Sequence, residues 1–250
     1  MRIFRILFFK ELKTYFLSPF GWLICGFAAL MQGLLISSTL KAFGDTAIGM
    51  SFVQAVFQNP TFWFYFLFLF PVLTMRLFSE ETRSGTIEGL LTAPVKTWQV
   101  VISKFCAAYV TFLVTLTPTW FHFQLFGMLN DIDPPFTSGE VSGALVILAL
   151  MGALFTAIGC LASSLTASQI IAGIVAAGLL FVHFLLGLVT SVYGDQIPSA
   201  AFFNFLSSSQ HLLDFSRGLI DSRAIVYYIT TTAFVIFLTF HVLDYRRWKS

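Results

Sequence analysis

Charge is scarce in this sequence. Of its 250 residues only 10% are Asp, Glu, Lys or Arg, against 57% hydrophobic, and the mean hydropathy is +0.85. Soluble domains carry about 25% charged residues. The chain therefore lacks the polar surface needed to face water, and a bilayer is its solvent. Carboxylates are missing from every long apolar run, which removes the buried ionisable group that gradient-driven transporters keep at depth. A Gly-Lys dipeptide is absent, which excludes a P-loop in this chain. The H-E-x-x-H and G-x-S-x-G patterns are absent too, and no paired carboxylates share a span, so an enzyme is weakly supported. The three cysteines, Cys25, Cys106 and Cys160, all fall in apolar runs without metal-ligand spacing and read as small packing residues. A net charge of +2 is too small to suggest nucleic-acid binding.

What the chain has instead is length of apolar sequence. A membrane span needs roughly 20 such residues. Six candidates meet that need: Phe20–Leu40, Pro60–Met75, Phe105–Phe126, Val141–Leu165, Ile170–Thr190 and Ala224–Leu243. Phe57 and Leu77–Phe78 are expected to extend the second. Little chain remains for anything else, so residues 1–250 read as one all-α membrane domain. With the N-terminus inside, 11 of the 14 basic residues lie on the cytoplasmic side, and only Lys41, Arg217 and Arg223 lie outside. The positive-inside rule thus places both termini in the cytoplasm.

Residues 1–18 interleave Arg2, Arg5 and Lys13 with Ile3, Phe4, Ile6 and Phe9, and Lys10-Glu11 interrupts any signal-peptide core. They read as an amphipathic helix lying in the inner interface, turned into the first span by Pro19. Asn59-Pro60 has the form of a helix start, cap followed by first-turn proline. The aromatic run Phe62–Phe70 reads as lipid-facing and interhelical packing. Small residues recur at i, i+4 in span four, Ala149, Ala153, Ala157 beside Gly152, Thr156, Cys160, Ser164, and in span five, Ala172, Ala176 beside Gly173, Ala177. Such ridges let membrane helices approach closely; the partner they face is open at this stage. The loop 191–223 is too apolar for a linker and too broken for a span, so short outer helices are expected there. His183, in span five, reads first as a helix–helix hydrogen-bond partner, with a proton relay as the lesser alternative.

One block departs from this oily background. Arg76–Lys104 packs Glu80, Glu81, Arg83, Glu88, Lys96 and Lys104 between two spans. Ser79 is a candidate cap, with Glu80 and Glu81 in the first turn, where acid favours the helix dipole. Ser84-Gly85-Thr86 bends or interrupts the helix, Ile87, Leu90 and Leu91 form an apolar stripe, and Pro94 stops it. Thr97 is expected to cap the helix leading into span three. Both charge signs beside an apolar stripe form a docking surface rather than a solvated loop.

The segment Phe78, Glu80, Glu81, Arg83, Ser84, Gly85, Thr86, Ile87, Glu88, Leu90, Leu91, Thr92, Ala93, Pro94, Val95 resembles the stretch between spans two and three of ABC-2 type permeases, and looks closest to the gliding-motility permease subgroup. The likeness extends to Phe9-Lys10-Glu11-Leu12 with Ser18-Pro19, and to Ser163-Ser164-Leu165-Thr166 with Gln169. It implies an ABC-2, type V exporter-like permease fold with six transmembrane helices, in which residues 1–18 are an elbow helix and residues 79–95 a coupling-helix region. It further implies a half-transporter that pairs with a second permease subunit, identical or related, and with two P-loop ATPase subunits. ATP and magnesium would then be held by those partners, and this chain would need no cofactor or metal of its own.

On this basis the chain is expected to be a non-catalytic permease subunit in the bacterial inner membrane, coupling ATP hydrolysis on a separate chain to export. Glu80, Glu81, Arg83, Gly85, Thr86, Ile87, Glu88 and Leu90 are the expected ATPase-coupling residues. An anchoring or mechanical subunit that moves no solute is the alternative. A membrane enzyme and a passive channel are weaker ones. The substrate and any periplasmic accessory subunit stay open; besides membrane lipid, the apolar spans are compatible with a lipid-linked polymer, peptide or hydrophobic drug as cargo.

Overall fold

The computed structural model of the protein describes residues 2–45, 50–87, 89, 95–129, 136–193 and 200–249. Among them every regular element is a helix. In chain order these are α1 (Arg2–Phe16), α2 (Pro19–Asp45), α3 (Phe52–Gln58), α4 (Pro60–Thr74), α5 (Ser79–Arg83), α6 (Thr97–Leu129), α7 (Ser138–Leu165), α8 (Gln169–Tyr193), α9 (Ala200–Leu206), α10 (Ser208–Ser216) and α11 (Ser222–Lys249). Six are long and apolar enough to cross a membrane: α2, α4 with its continuation through α5, α6, α7, α8 and α11. They match the six expected spans.

Helix starts show how local sequence sets these boundaries. Asn59 accepts a hydrogen bond from Thr61 N, and Pro60 occupies the first turn of α4, as its sequence requires. That same break assigns Phe57 to the separate helix α3, so it does not extend span two as expected. Thr137 caps α7 by accepting from Glu140 N. Ser79 is not a cap: its hydroxyl bonds back to Met75 O, while its own N–H donates to Ser163 Oγ at 3.2 Å. Thr97 is not one either; its hydroxyl donates to Asp244 Oδ1 at 3.2 Å, beside the last turns of α11. The Ser79 hydroxyl thus serves the carbonyl one turn back, and the Thr97 hydroxyl a tertiary partner.

The six spans divide into an inner and an outer trio. For α4, α6 and α7, 61% of the apolar window is buried; for α2, α8 and α11 the shares are 33%, 22% and 28%. Helix α7 is the centre, packing on α4, α6, α8, α10 and α11. Lipid supplies no hydrophobic drive between helices, so close packing must hold them together. The small ridge of α7 provides it within this chain. Gly152 lies under the Phe112 ring of α6, where an added Cβ would come 1.9 Å from Phe112 Cε1. Gly159 lies against Thr74 at the end of α4, where a Cβ would meet Thr74 Oγ1 at 2.0 Å. Around them Phe66, Phe70, Phe112 and Phe155 form one aromatic cluster with centroids 4.8–6.0 Å apart. Phe62, Trp63 and Tyr65 of the same run are buried too, and only Phe64 and Phe68, 80% and 59% exposed, face outward.

Overpacking follows directly from this geometry. Gly152→Val is expected to cost ~1–3 kcal/mol, read as reduced resistance to unfolding of the detergent-solubilised protein. Gly178→Ala, on α8, meets nothing within 4 Å and should cost nothing by the same measurement.

Candidate functional site

The charged block lies at the end of the bundle that carries α1. Helix α4 leads through a turn at Met75–Phe78 into α5, and that turn is held from behind. Ser163 Oγ on α7 donates to Met75 O at 3.2 Å and accepts from Phe78 N at 3.0 Å and Ser79 N at 3.2 Å. One hydroxyl thus bonds three backbone groups of the turn that follows α4. Tyr15 OH on α1 donates to Leu73 O at 2.8 Å. Burial, first of all, holds the Tyr15 phenol well above its usual value, so it stays a donor.

The centre of the site is Lys104. Its ammonium lies 2.9 Å from Glu81 Oε1 on α5 and 3.0 Å from Glu11 Oε1 on α1, and its side chain is only 4% exposed. Lys10 stands farther out, at 3.5 Å from Glu11 and 3.6 Å from Glu81. Two cations and two carboxylates therefore balance in a partly desolvated cluster, with Phe78 5.6 Å from the Lys104 ammonium. Burying an ion costs several kcal/mol, and only close, well-formed partners offset it. The cluster joins three helices that are distant in sequence. Glu81 Oε2 is buried without a hydrogen-bond partner among the described residues.

The expected coupling residues separate by direction. Glu80, Arg83, Gly85 and Thr86 are exposed. Glu81 points inward to Lys104, and Ile87, 7% exposed, packs into the protein's own core. Glu88 and Leu90 lie outside the described residues. Gly85 has φ +73°, a left-handed conformation that costs other residues roughly 1–2 kcal/mol; it turns the chain sharply after α5. In the sequence Lys104 reads only as a member of the charged block, and its inward role was missed. A lysine seven residues into an apolar helix was the available signal.

Elsewhere the polar groups serve packing. His183 Nε2 pairs with Ser208 Oγ of α10 at 2.8 Å, and Tyr228 OH of α11 donates to the same oxygen at 3.0 Å. His183 is thus a helix–helix hydrogen-bond partner. Gln32, unremarked in the sequence, donates to Tyr65 OH at 3.0 Å and Thr115 O at 2.8 Å, tying α2 to α4 and α6. Between α3, α4, α8 and α10 runs a groove of about 1090 Å³, lined by Phe57, Trp63, Phe181 and Phe184 with Gln54, Gln58 and Gln210. Among the described residues no group of His, Cys, Asp and Glu is placed to hold a metal ion.

Lys104→Met leaves Glu11 and Glu81 facing each other with one outlying lysine. It is expected to destabilise the protein by ~3–5 kcal/mol, measured by unfolding in detergent. Adding Glu11→Gln and Glu81→Gln should restore most of the loss; equal stability of the single and triple variants would contradict the cluster.

The model of the ABC-2 family transporter proteins matches residues 31–243, which takes in all six spans except the first half of α2 and the last turn of α11. No curated protein matches the chain. Membranes proteins of that family work with ABC ATPase subunits, and the six apolar helices make this one multi-pass. The chain belongs to the ABC-2 family of transporter proteins.

Proposed function

We propose that this permease takes up the movement of separate P-loop ATPase subunits at the α1–α5 end and delivers it into α4, α6 and α7. The observation that carries the reading is the two-sided character of residues 79–87. Glu80, Arg83, Gly85 and Thr86 face outward, while Glu81 and Ile87 hold the same segment to the helices behind it. A push on the outer side reaches α6 through Glu81–Lys104, α7 through Ser163, and α4 through the Met75–Phe78 turn. α1 serves as the elbow helix, joined to the segment through Glu11 and Lys10. Residues 79–95 serve as the coupling helix.

In this reading the α1 end is cytoplasmic, which the distribution of basic residues supports. The membrane is the bacterial inner membrane, and the direction of transport is export. The complex holds two permease subunits, identical or related, and two ATPase subunits that carry ATP and magnesium. An accessory subunit on the far side of the membrane is compatible with it. The gliding-motility subgroup remains our reading of the motif at residues 78–95. It favours one further alternative, a subunit that does mechanical work without moving a solute.

Charge reversal on the outward side separates coupling from folding. Glu80→Lys with Arg83→Glu is expected to reduce stimulation of the co-purified ATPase about tenfold or more, equivalent to about 1.4 kcal/mol, while the unfolding midpoint of the permease stays put. Unchanged stimulation and transport would remove the coupling role from this segment. Full ATPase stimulation with no solute flux in vesicles would favour the mechanical alternative.

A further inference from the structure

Helix α1 has a second face that shares only Lys10 with the coupling cluster. It carries four cations, Arg2, Arg5, Lys10 and Lys13, and a single acid, Glu11. That acid is turned inward onto Lys104 at 3.0 Å. Arg2, Arg5 and Lys13 are exposed and form no ion pair among the described residues; Lys10 is 58% exposed and shared with Glu11 and Glu81. The outward face is therefore left cationic by the burial of its one carboxylate.

These cations border a groove of about 800 Å³ whose remaining lining is apolar, Ile6 and Phe9. Ile6 is 61% and Phe9 50% exposed. The stripe from Arg2 to Lys13 extends roughly 16 Å at the rise of an α-helix. Its level is fixed by its neighbours. Only Leu17 and Ser18 separate α1 from the first span, and Tyr15 is bonded to the last turn of α4. Arg76, with its guanidinium 4.1 Å from the Phe20 ring, and exposed Trp98 and Tyr245 mark the same end with cationic and aromatic groups, as at a membrane interface.

We infer that this groove binds the headgroup of an anionic phospholipid. The phosphate sits among Arg2, Arg5 and Lys13, and an acyl chain lies along Ile6 and Phe9. A free phosphate would leave the apolar lining unused, and a zwitterionic headgroup would bring a positive group onto a face with no carboxylate to receive it. An acidic protein surface would meet the cations but leave Ile6 and Phe9 without an apolar partner. Because Lys10 is half committed to Glu11 and Glu81, it contributes less than Arg5.

The test titrates the purified full chain in neutral detergent with phosphatidylglycerol, phosphatidylcholine, inorganic phosphate and a polyglutamate peptide, with binding read by native mass spectrometry. Phosphatidylglycerol is expected to bind at least tenfold more tightly than the other three. Each surface cation near anionic lipid is worth about fivefold in affinity, so Arg2→Gln, Arg5→Gln and Lys13→Gln together should weaken binding on the order of 100-fold. These three side chains are exposed, and an unchanged unfolding midpoint confirms a folded variant. Lys41→Gln, Arg217→Gln and Arg223→Gln, at the opposite end, should leave binding unchanged. Equal binding of the two lipids, retained binding by the α1 variant, or tighter binding of inorganic phosphate or polyglutamate would each overturn the inference.

Discussion

An ammonium group removed from water must find its charge balance in the protein, and at Lys104 that requirement recruits helices from three parts of the chain. Glu11 comes from α1, Glu81 from α5, and the lysine itself from α6, with contacts of 2.9–3.0 Å. Loss of one partner would leave an uncompensated buried charge, a cost of ~3–5 kcal/mol. The three helices are thus constrained to keep one arrangement. The end of the bundle is a rigid junction rather than a set of loops. Ser163 extends the junction to α7 by satisfying the turn between α4 and α5. That makes the charged segment mechanically continuous with the inner trio of spans.

The inner trio is packed at contact distance. Gly152 and Gly159 bring α7 against Phe112 and Thr74 with no room for a methyl group. Close-packed interiors transmit displacement rather than absorb it. The outer trio differs: α2, α8 and α11 expose most of their apolar surface. One end of the assembly is therefore stiff and polar, and its flanks are apolar and open to lipid or to another permease subunit. α1 belongs to both worlds, since one face closes the charge cluster and the other presents cations.

Much of this was legible in the sequence. Hydropathy marks all six spans because a helix surrounded by lipid must be apolar on every side, which leaves a long uninterrupted run. Asn59-Pro60 is legible because its cap is local. What was not legible depends on the partner a side chain meets in three dimensions. Thr97 has the chemistry of a cap, yet Asp244 on α11 claims its hydroxyl, and the Ser79 N–H is taken by Ser163 on α7. Glu80 and Glu81 are neighbours of one type; only the fold decides that Glu80 faces out and Glu81 faces Lys104. Helix α3 escaped notice because seven residues carry too little periodicity to register. The ridge of small residues on α7 was visible, but the Phe112 ring of α6 that Gly152 meets was not.

Whether the junction moves as one piece can be measured with spin labels. Placed at Arg5 on α1 and Arg83 at the end of α5, with a second pair at Arg83 and Ser142 at the opposite end of α7, they report two distances in the complex with its ATPase. A rigid junction keeps the Arg5–Arg83 distance constant between the nucleotide-free and ATP-bound states while the Arg83–Ser142 distance changes. If ATP separates Arg5 from Arg83 and leaves the bundle distance fixed, the Lys104 cluster does not transmit motion and the coupling role fails.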